Sequence, residues 1–541
     1  MYKSKNFLIR YIEKYKSKHY LKSFVIGDNS SISLEVKNSY QDIGISHLFA
    51  ISGMHISLVL LIIDNLFKKI KYKDLIIVIF FIVFLFITYY PISLIRCFSF
   101  YILSYINKRL KLGYKNYFII VCIFFLMLLF NSYLIYNVGF LFSIIITFFV
   151  LLISNEIKDY SKLKKSILIS IISFFASIPI MALSFFKINI MWVICNIIFI
   201  PIVTYIMFPL SLLTLIFPFL DKFYFIVIKS FEGFSLFIDN INLFEIIISK
   251  PNIIIFILYY CFLYLSIKVN KKFLIIYFLI LFFNINSNFF IRNNEVIFLD
   301  ALQGDSAVLI FPKGKVVVLD TGGNKSYSVS EKIIIPYLSS RGLKKIDSLI
   351  LSHGDYDHMG EAINLVENFK VERVIFNCGE FNELEYDLIK VLNKKKIPYY
   401  SCIKELSIDN NKLYFLNNKD YDNENDNSSV IYTKLNGYKF MFMGDASSTT
   451  EHEILNKYNL QNIDVLKVGH HGSRTSTSKL FIDEITPKYS IISVGKNNRY
   501  GHPNKEVLDN LEDSKIYRTD YDGSVMFKIE NNKLNVETCA P

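Results

Sequence analysis

The sequence predicts two domains of different class: a polytopic α-helical membrane domain over residues 1–290, and a second, mixed helix-and-strand domain in water over 291–541. Three observations predict this. Of 541 residues 52% are hydrophobic and 16% aromatic, with a mean hydropathy of +0.36, which is too apolar for one soluble globule and too long for one domain. The long apolar runs stop near residue 288, and short β-branched runs such as "EVIFLD" and "KVVVLD" follow. Charge divides at the same seam. From Arg292 onward there are 31 Lys+Arg against 35 Asp+Glu, which out of totals of 59 and 47 leaves 28 against 12 before it. The membrane half therefore carries +16 and the other half −4, and the basic excess reads as loop charge facing the cytoplasm and anionic lipid.

The first 22 residues are basic and lack the apolar centre and small-residue cleavage site of a signal peptide, so the first true span is expected to act as an uncleaved anchor. Runs such as "DLIIVIFFIVFLFITYY", "YFIIVCIFFLMLLF" and "FLIIYFLILFF" approach the roughly 20 residues that cross a hydrocarbon core, and about eight to ten spans are expected. "GISHLFAISGMHISLVLL", Gly44 to Leu61, is the unusual one. On a helix Ser46, Ala50, Gly53 and Ser57 form a stripe that lets another helix approach closely. His47, Ser52 and His55 share a wider polar sector. Ionisable groups at membrane depth are costly, so these three, with Arg96, Asn137 and Asn196, are read as lining a hydrated route; helix packing for the histidines and snorkelling for Arg96 are the plainer readings. Asn196 precedes Pro201 and Pro209, which predicts a broken helix there.

The seven cysteines form no C-x-x-C pair and argue neither for a zinc finger nor for a disulfide framework. In the second domain the sharpest signal is "LILSHGDYDHMG", where a buried strand delivers His353, Asp355, Asp357 and His358 onto the turn before a helix. Carboxylates mixed with imidazoles at this spacing suit one or two Zn, Mn or Fe ions. "FMFMGDAS" ends another apolar strand at Asp445, "IDVLKVGHHGSRTS" a third at His470 and His471, and "VVVLDTGGN" puts Asp320 at a strand end.

Together these motifs resemble the metallo-β-lactamase superfamily, over about residues 293 to 541. The resemblance implies an αββα sandwich with metal at the strand ends. It implies that His353 and Asp355 bind a first divalent ion, that Asp357 and His358 bind a second which His470 completes, that Asp445 bridges them, and that Asp320 supports from behind. Asp357 is also read as catalytic. Two departures matter: Asp355 stands where the family has a second histidine, which shifts the expected ion from Zn toward Mn, and no histidine occurs between Met359 and Glu451, where Asn427 and Ser428 are expected to take its place. Sequence does not decide which of His470 and His471 binds metal; the other, with His502, is expected to contact phosphate or protonate a leaving group. Ser473, Arg474, Asn498 and Arg499 are phosphate-binding types near the expected mouth.

With "NVGFLFS", "NIIFIPIVTYIMFPL", "LDALQGDSAVLI" and "NRYGHP" added, nearly the whole chain resembles the ComEC-type DNA-internalisation competence proteins. That resemblance implies a cell-membrane channel passing DNA as a single strand, with a metal-dependent nuclease that degrades the other strand of the duplex at the entrance. It implies membrane lipid and other competence proteins as partners, including a DNA receptor and a cytoplasmic motor. The family often has an N-terminal OB-fold, which the roughly 20 residues ahead of the first matched motif are too few to form. Alternatives are a membrane-tethered metallo-phosphodiesterase of cell-wall or lipid phosphate esters, and a channel whose metallo domain is non-catalytic. If the basic loops at 68–73, 108–115, 162–165 and 268–272 are cytoplasmic, the last span carries the second domain to the extracytoplasmic side.

Overall fold

The computed structural model describes residues 2–51, 53–70, 72–241 and 245–540. The chain divides into two units, one made of residues 1–246 with 250–282, the other of 247–249 with 283–541.

The first unit is helical. Among the described residues three helices are long and apolar enough to cross a membrane, Ser46–Leu66, Lys162–Ser184 and Met191–Ile216, and Asn116–Phe130, Val138–Ser154, Ile253–Lys268 and Phe273–Ile285 are shorter apolar helices. The helices pack through aromatic and aliphatic clusters, one of them joining Phe24, Tyr40, Phe49, Phe199 and Phe231. The break expected between Asn196 and Pro209 is instead a π-helical segment, Val203–Met207, inside a helix that runs from Met191 to Ile216. Pro201 and Pro209 each lack the N–H that a helical bond needs, and between them the chain runs as a wider turn in which the Phe208 amide donates to the Val203 carbonyl.

The second unit is built on two sheets. Its strands are β1 (Glu295–Phe298), β2 (Ala307–Phe311), β3 (Lys315–Leu319), β4 (Ser348–Ile350), β5 (Val374–Phe376), β6 (Tyr399–Ser401), β7 (Glu405–Ile408), β8 (Asn411–Phe415), β9 (Ile431–Leu435), β10 (Tyr438–Phe442), β11 (Val465–Lys467), β12 (Tyr489–Ile492), β13 (Lys515–Arg518), β14 (Ser524–Glu530) and β15 (Lys533–Cys539). One sheet has the order β15-β14-β1-β2-β3-β4-β5-β6 and the other β13-β12-β11-β10-β9-β8-β7. β3 to β6 are parallel in the first, and β10 to β13 in the second.

Side-chain alternation explains the layering. In β3, Val317 and Leu319 enter the core between the sheets, while Val316 and Val318 turn to the opposite face, with Leu338, Leu365 and Leu388 from the helices. In β10, Phe440 and Phe442 face inward and Met441 faces the helices carrying Ile454 and Phe481. Strands buried on both faces read as unbroken apolar runs, as parallel strands flanked by helices must. Each such side chain contributes about 1.5–3 kcal/mol of burial. The result is an αββα sandwich, and β3, β4, β10 and β11 all deliver their C-terminal ends toward one cluster of His and Asp.

A disulfide joins Cys378 and Cys402, 24 residues apart in sequence. They follow the neighbouring parallel strands β5 and β6, a proximity that cysteine spacing alone does not disclose.

Candidate metal centre

Asp320, at the end of β3, holds a left-handed backbone with φ 57°. Its Oδ1 accepts from the Ser352 amide at 2.7 Å, and its Oδ2 accepts from Ser352 Oγ at 2.7 Å and faces His358 Nδ1 at 2.9 Å. A carboxylate on Nδ1 fixes that nitrogen as the donor, so His358 presents an unprotonated Nε2 in its neutral form.

The turn that follows β4 carries the motif. Gly354, between His353 and Asp355, donates its amide to Glu424 Oε1 at 2.7 Å and accepts from Asn382 Nδ2 at 2.8 Å. A Cβ here would lie 2.0 Å from that Asn382 nitrogen, so the two-sided grip requires glycine.

His353, His358 and Asp445 bring ligand atoms within 4.8 Å of one another, as do Asp357, His358 and His471. His358 Nε2 lies 3.1 Å from Asp445 Oδ1, and His471 Nε2 lies 3.3 Å from Asp357 Oδ2. Nε2 of His353, His358 and His471 and Oδ1 of Asp445 are buried without a hydrogen bond among the described residues. Buried imidazole nitrogens and carboxylate oxygens that converge in this way fit a divalent cation. Asp355 Oδ2 is 3.6 Å from His353 Nε2, on a half-exposed side chain at the rim.

Burial opposes charge on His358, but the Asp445 and Asp320 carboxylates outweigh it and hold the imidazolium well above the usual range. For His471 burial is likewise outweighed, by Asp445 and Asp305, and its pKa is raised to about 10. Burial favours the neutral form of Asp445, and the charges on His358 and His471 overcome this and keep it well below the carboxylate range. Two protons thus balance the acids, and a bound divalent ion would replace them.

The pair left open by sequence is resolved in space by the turn after β11. His470 and His471 both have left-handed backbones, φ 46° and 52°, and the two imidazoles diverge. His471 is buried, its Nδ1 donating to the Ser493 carbonyl at 2.9 Å. His470 is a quarter exposed, with Nε2 3.7 Å from Asp445 Oδ2 and Nδ1 3.0 Å from Thr475 Oγ1. His471, not His470, belongs to the three-residue groups of ligand atoms.

Asn427 faces away from the cluster, exchanging hydrogen bonds with the Tyr421 backbone at 2.7 and 3.1 Å. Its neighbour Ser428 faces inward: Oγ accepts from the Asp445 amide at 3.0 Å and lies 3.4 Å from His353 Nδ1. Ser473 is buried against Thr475, and Arg474 and Arg499 are exposed. Asn498 bonds His502 twice, Nδ2 to its carbonyl at 2.7 Å and Oδ1 from its amide at 3.0 Å.

Sequence reading missed Asp305 and Lys467. The Lys467 ammonium is buried 2.6 Å from Asp305 Oδ2, and Asp305 Oδ1 is 3.4 Å from His471 Nδ1. The available signal was a lysine closing the apolar run of β11, which demands a buried acid.

In the helical unit, Arg96 Nε donates to Ser143 Oγ at 2.6 Å, and a Cβ on Gly53 would meet Arg96 Nη2 at 3.0 Å. His55 is buried against Phe208 and Phe24, with ring centroids 4.5 and 5.5 Å away. Asn137 caps helix Val138–Ser154, its Oδ1 accepting from the Phe140 amide. Asn196 is half-buried and His47 exposed. Ser52 lies outside the described residues.

An αββα sandwich with imidazoles and carboxylates converging at its strand ends defines a metallo-hydrolase class of fold, and residues 300–496 match the family model described as the metallo-beta-lactamase superfamily. That fold implies divalent metal binding. Residues 24–273 match the family model described as competence protein. The chain is 28% identical to ComE operon protein 3 of Bacillus subtilis (strain 168) over 94% of this chain and 71% of that one. It is 27% identical to competence protein ComA of Neisseria gonorrhoeae over 42% of this chain and 31% of that one. Recombination protein 2 of Haemophilus influenzae (strain ATCC 51907 / DSM 11121 / KW20 / Rd) is 30% identical over 44% and 29%. Along most of its length the chain is thus similar to competence proteins, with a competence-protein match over residues 24–273 followed by a metallo-beta-lactamase match over residues 300–496.

Proposed function

We propose that this protein is a multi-pass membrane channel for uptake of DNA as a single strand, with a C-terminal domain that hydrolyses phosphodiesters of the strand left outside. The observation that carries the hydrolase is the set of buried, unsatisfied ligand atoms of His353, His358, His471 and Asp445. These four, with Asp357 and with Asp355 at the rim, are the residues to hold one or two divalent ions, and the carboxylate share of the set suits manganese better than zinc. When bound, the metal supplies a hydroxide nucleophilic near neutral pH and neutralises phosphate charge. Asp320 holds the proton of a neutral His358 on Nδ1, and Asp305 and the Ser493 carbonyl do the same for His471, so that each Nε2 is the nitrogen free to take a metal once the ring gives up its second proton. In this reading His471 takes the ligand role expected of His470. His470 and His502 stand at the rim, where an imidazole passes a proton to a leaving oxygen. Arg474 and Arg499 are exposed and suited to flanking phosphates.

Sidedness follows from two arguments that agree. With the basic loops read as cytoplasmic, the last apolar helix ends outside, and a disulfide persists in an oxidising compartment, which suits Cys378–Cys402. An external nuclease meets duplex before the membrane does and never meets the chromosome.

The channel role is tested in cells with labelled DNA. Arg96→Ala is expected to lower internalisation at unchanged protein level and unchanged cutting of DNA by the purified full chain. Normal internalisation would reduce Arg96 to a packing residue.

A further inference from the structure

The loop from Gly495 to Asn504, after β12, is closed by the two Asn498–His502 hydrogen bonds, which leaves Arg499, Tyr500 and Gly501 exposed at its tip. Tyr500 is 71% exposed, yet its ring has a defined place, stacked on His502 at a centroid distance of 5.9 Å and an interplanar angle of 14°. His502 is itself held by Asn504, whose Nδ2 lies 3.2 Å from its Nδ1. From there the rings run inward without a gap. His502 is 6.0 Å from His470, His470 is 6.4 Å from His471, His471 is 5.4 Å from His358, and His358 is 4.2 Å from His353. One end of this line is the buried ligand cluster and the other an open aromatic face beside Arg499.

A phosphodiester at the cluster therefore has, along one side, an aromatic surface leading to solvent. A lipid or teichoic phosphate ester brings no flat ring to place there, whereas a nucleic acid brings one with every residue. A base within duplex has both faces covered by its neighbours, so only an unpaired nucleotide can use the tyrosine.

Resting on the phosphodiesterase reading above, we propose that Tyr500 is a stacking platform for the base of an unpaired nucleotide flanking the phosphate to be cut, so that the site selects single strands or frayed ends. His502 is the positioning residue that presents the tyrosine face.

The test uses the purified full chain in detergent with manganese, and two single strands of equal length, one with all bases and one abasic at the positions flanking a single cleavable linkage. Tyr500→Ala is expected to raise KM for the base-bearing strand roughly five- to a hundredfold more than for the abasic one, the range of a lost base–aromatic stack. Tyr500→Phe is expected to restore the wild-type ratio. With 2-aminopurine next to a non-cleavable linkage, fluorescence quenching on binding is expected in wild type and Tyr500→Phe and not in Tyr500→Ala. Equal losses on both strands, or quenching that survives Tyr500→Ala, would overturn the proposal while leaving the hydrolase standing. A wild-type chain that cuts neither strand would instead remove the reading on which it rests.

Discussion

Asp320→Asn tests how the fold prepares the metal centre. The asparagine is isosteric and tolerates the φ of 57° at this position. Its Oδ1 still accepts from the Ser352 amide, but an NH2 group now faces His358 Nδ1 where a carboxylate oxygen stood at 2.9 Å. Two donors cannot face each other, so the His358 proton moves to Nε2, the atom 3.1 Å from Asp445 Oδ1 that must be a lone pair to bind metal. Loss of a carboxylate behind a ligating histidine costs about 10- to 100-fold in metal affinity, equivalent to about 1.4–2.7 kcal/mol. Isothermal titration of manganese into the chelator-treated full chain reads this directly. Thermal unfolding with and without manganese provides a second reading, since a metal at a hundred times its Kd stabilises by about 2.7 kcal/mol and the variant forfeits most of that. Asp320→Ala differs, because it also strands three buried donors at about 1–3 kcal/mol each and lowers stability even without metal. Manganese affinity of Asp320→Asn within about twofold of wild type would refute the tautomer argument.

Three further outcomes are expected. His471→Ala abolishes manganese binding measured by metal analysis after gel filtration, while His470→Ala retains it and lowers the cleavage rate; the reverse pattern would return the ligand role to His470. Burial raises Glu385 to about 7, and its Oε1 is buried without a hydrogen bond among the described residues. A carboxyl raised in the folded state stabilises below its unfolded pKa and loses that as pH rises through about 7, so Glu385→Gln is expected to gain up to about 3 kcal/mol over wild type at pH 8 and nothing at pH 4, read by thermal unfolding. Alkylation of unreduced whole cells is expected to leave Cys378 and Cys402 unlabelled, and Cys378→Ser to cost about 3.5 kcal/mol for a loop closed across a sequence separation of 24; labelling of both without reductant would place the domain in a reducing compartment.

The division between what was and was not legible follows sequence distance. The two-domain order and the sandwich class were legible because hydropathy and charge change at one seam, and because His353 to His358, Asp445 and Asp320 each close an apolar strand. Both are local patterns that need no partner to be read. The choice between His470 and His471 rests on two consecutive left-handed residues, and nothing in "GHHGS" fixes which ring turns inward. Asp305 and Lys467 are 162 positions apart and meet only when β2 and β11 are brought together across the sandwich. Ser428 rather than Asn427 faces the cluster because a short 3-10 turn, Glu424–Asn427, decides the phase. In the membrane region, polarity marked Arg96 and His55 but not their surroundings, a serine on another helix and a pair of phenylalanines.

Whether the C-terminal domain is a metal-dependent hydrolase of DNA is decided by incubating the purified full chain with end-labelled DNA and manganese, beside Asp357→Ala and Asp445→Ala. The wild type is expected to cut, chelation to stop it and manganese to restore it, with cutting at least a hundredfold slower in both variants. Cutting at wild-type rates by either variant, or none by a manganese-loaded wild type, would contradict it.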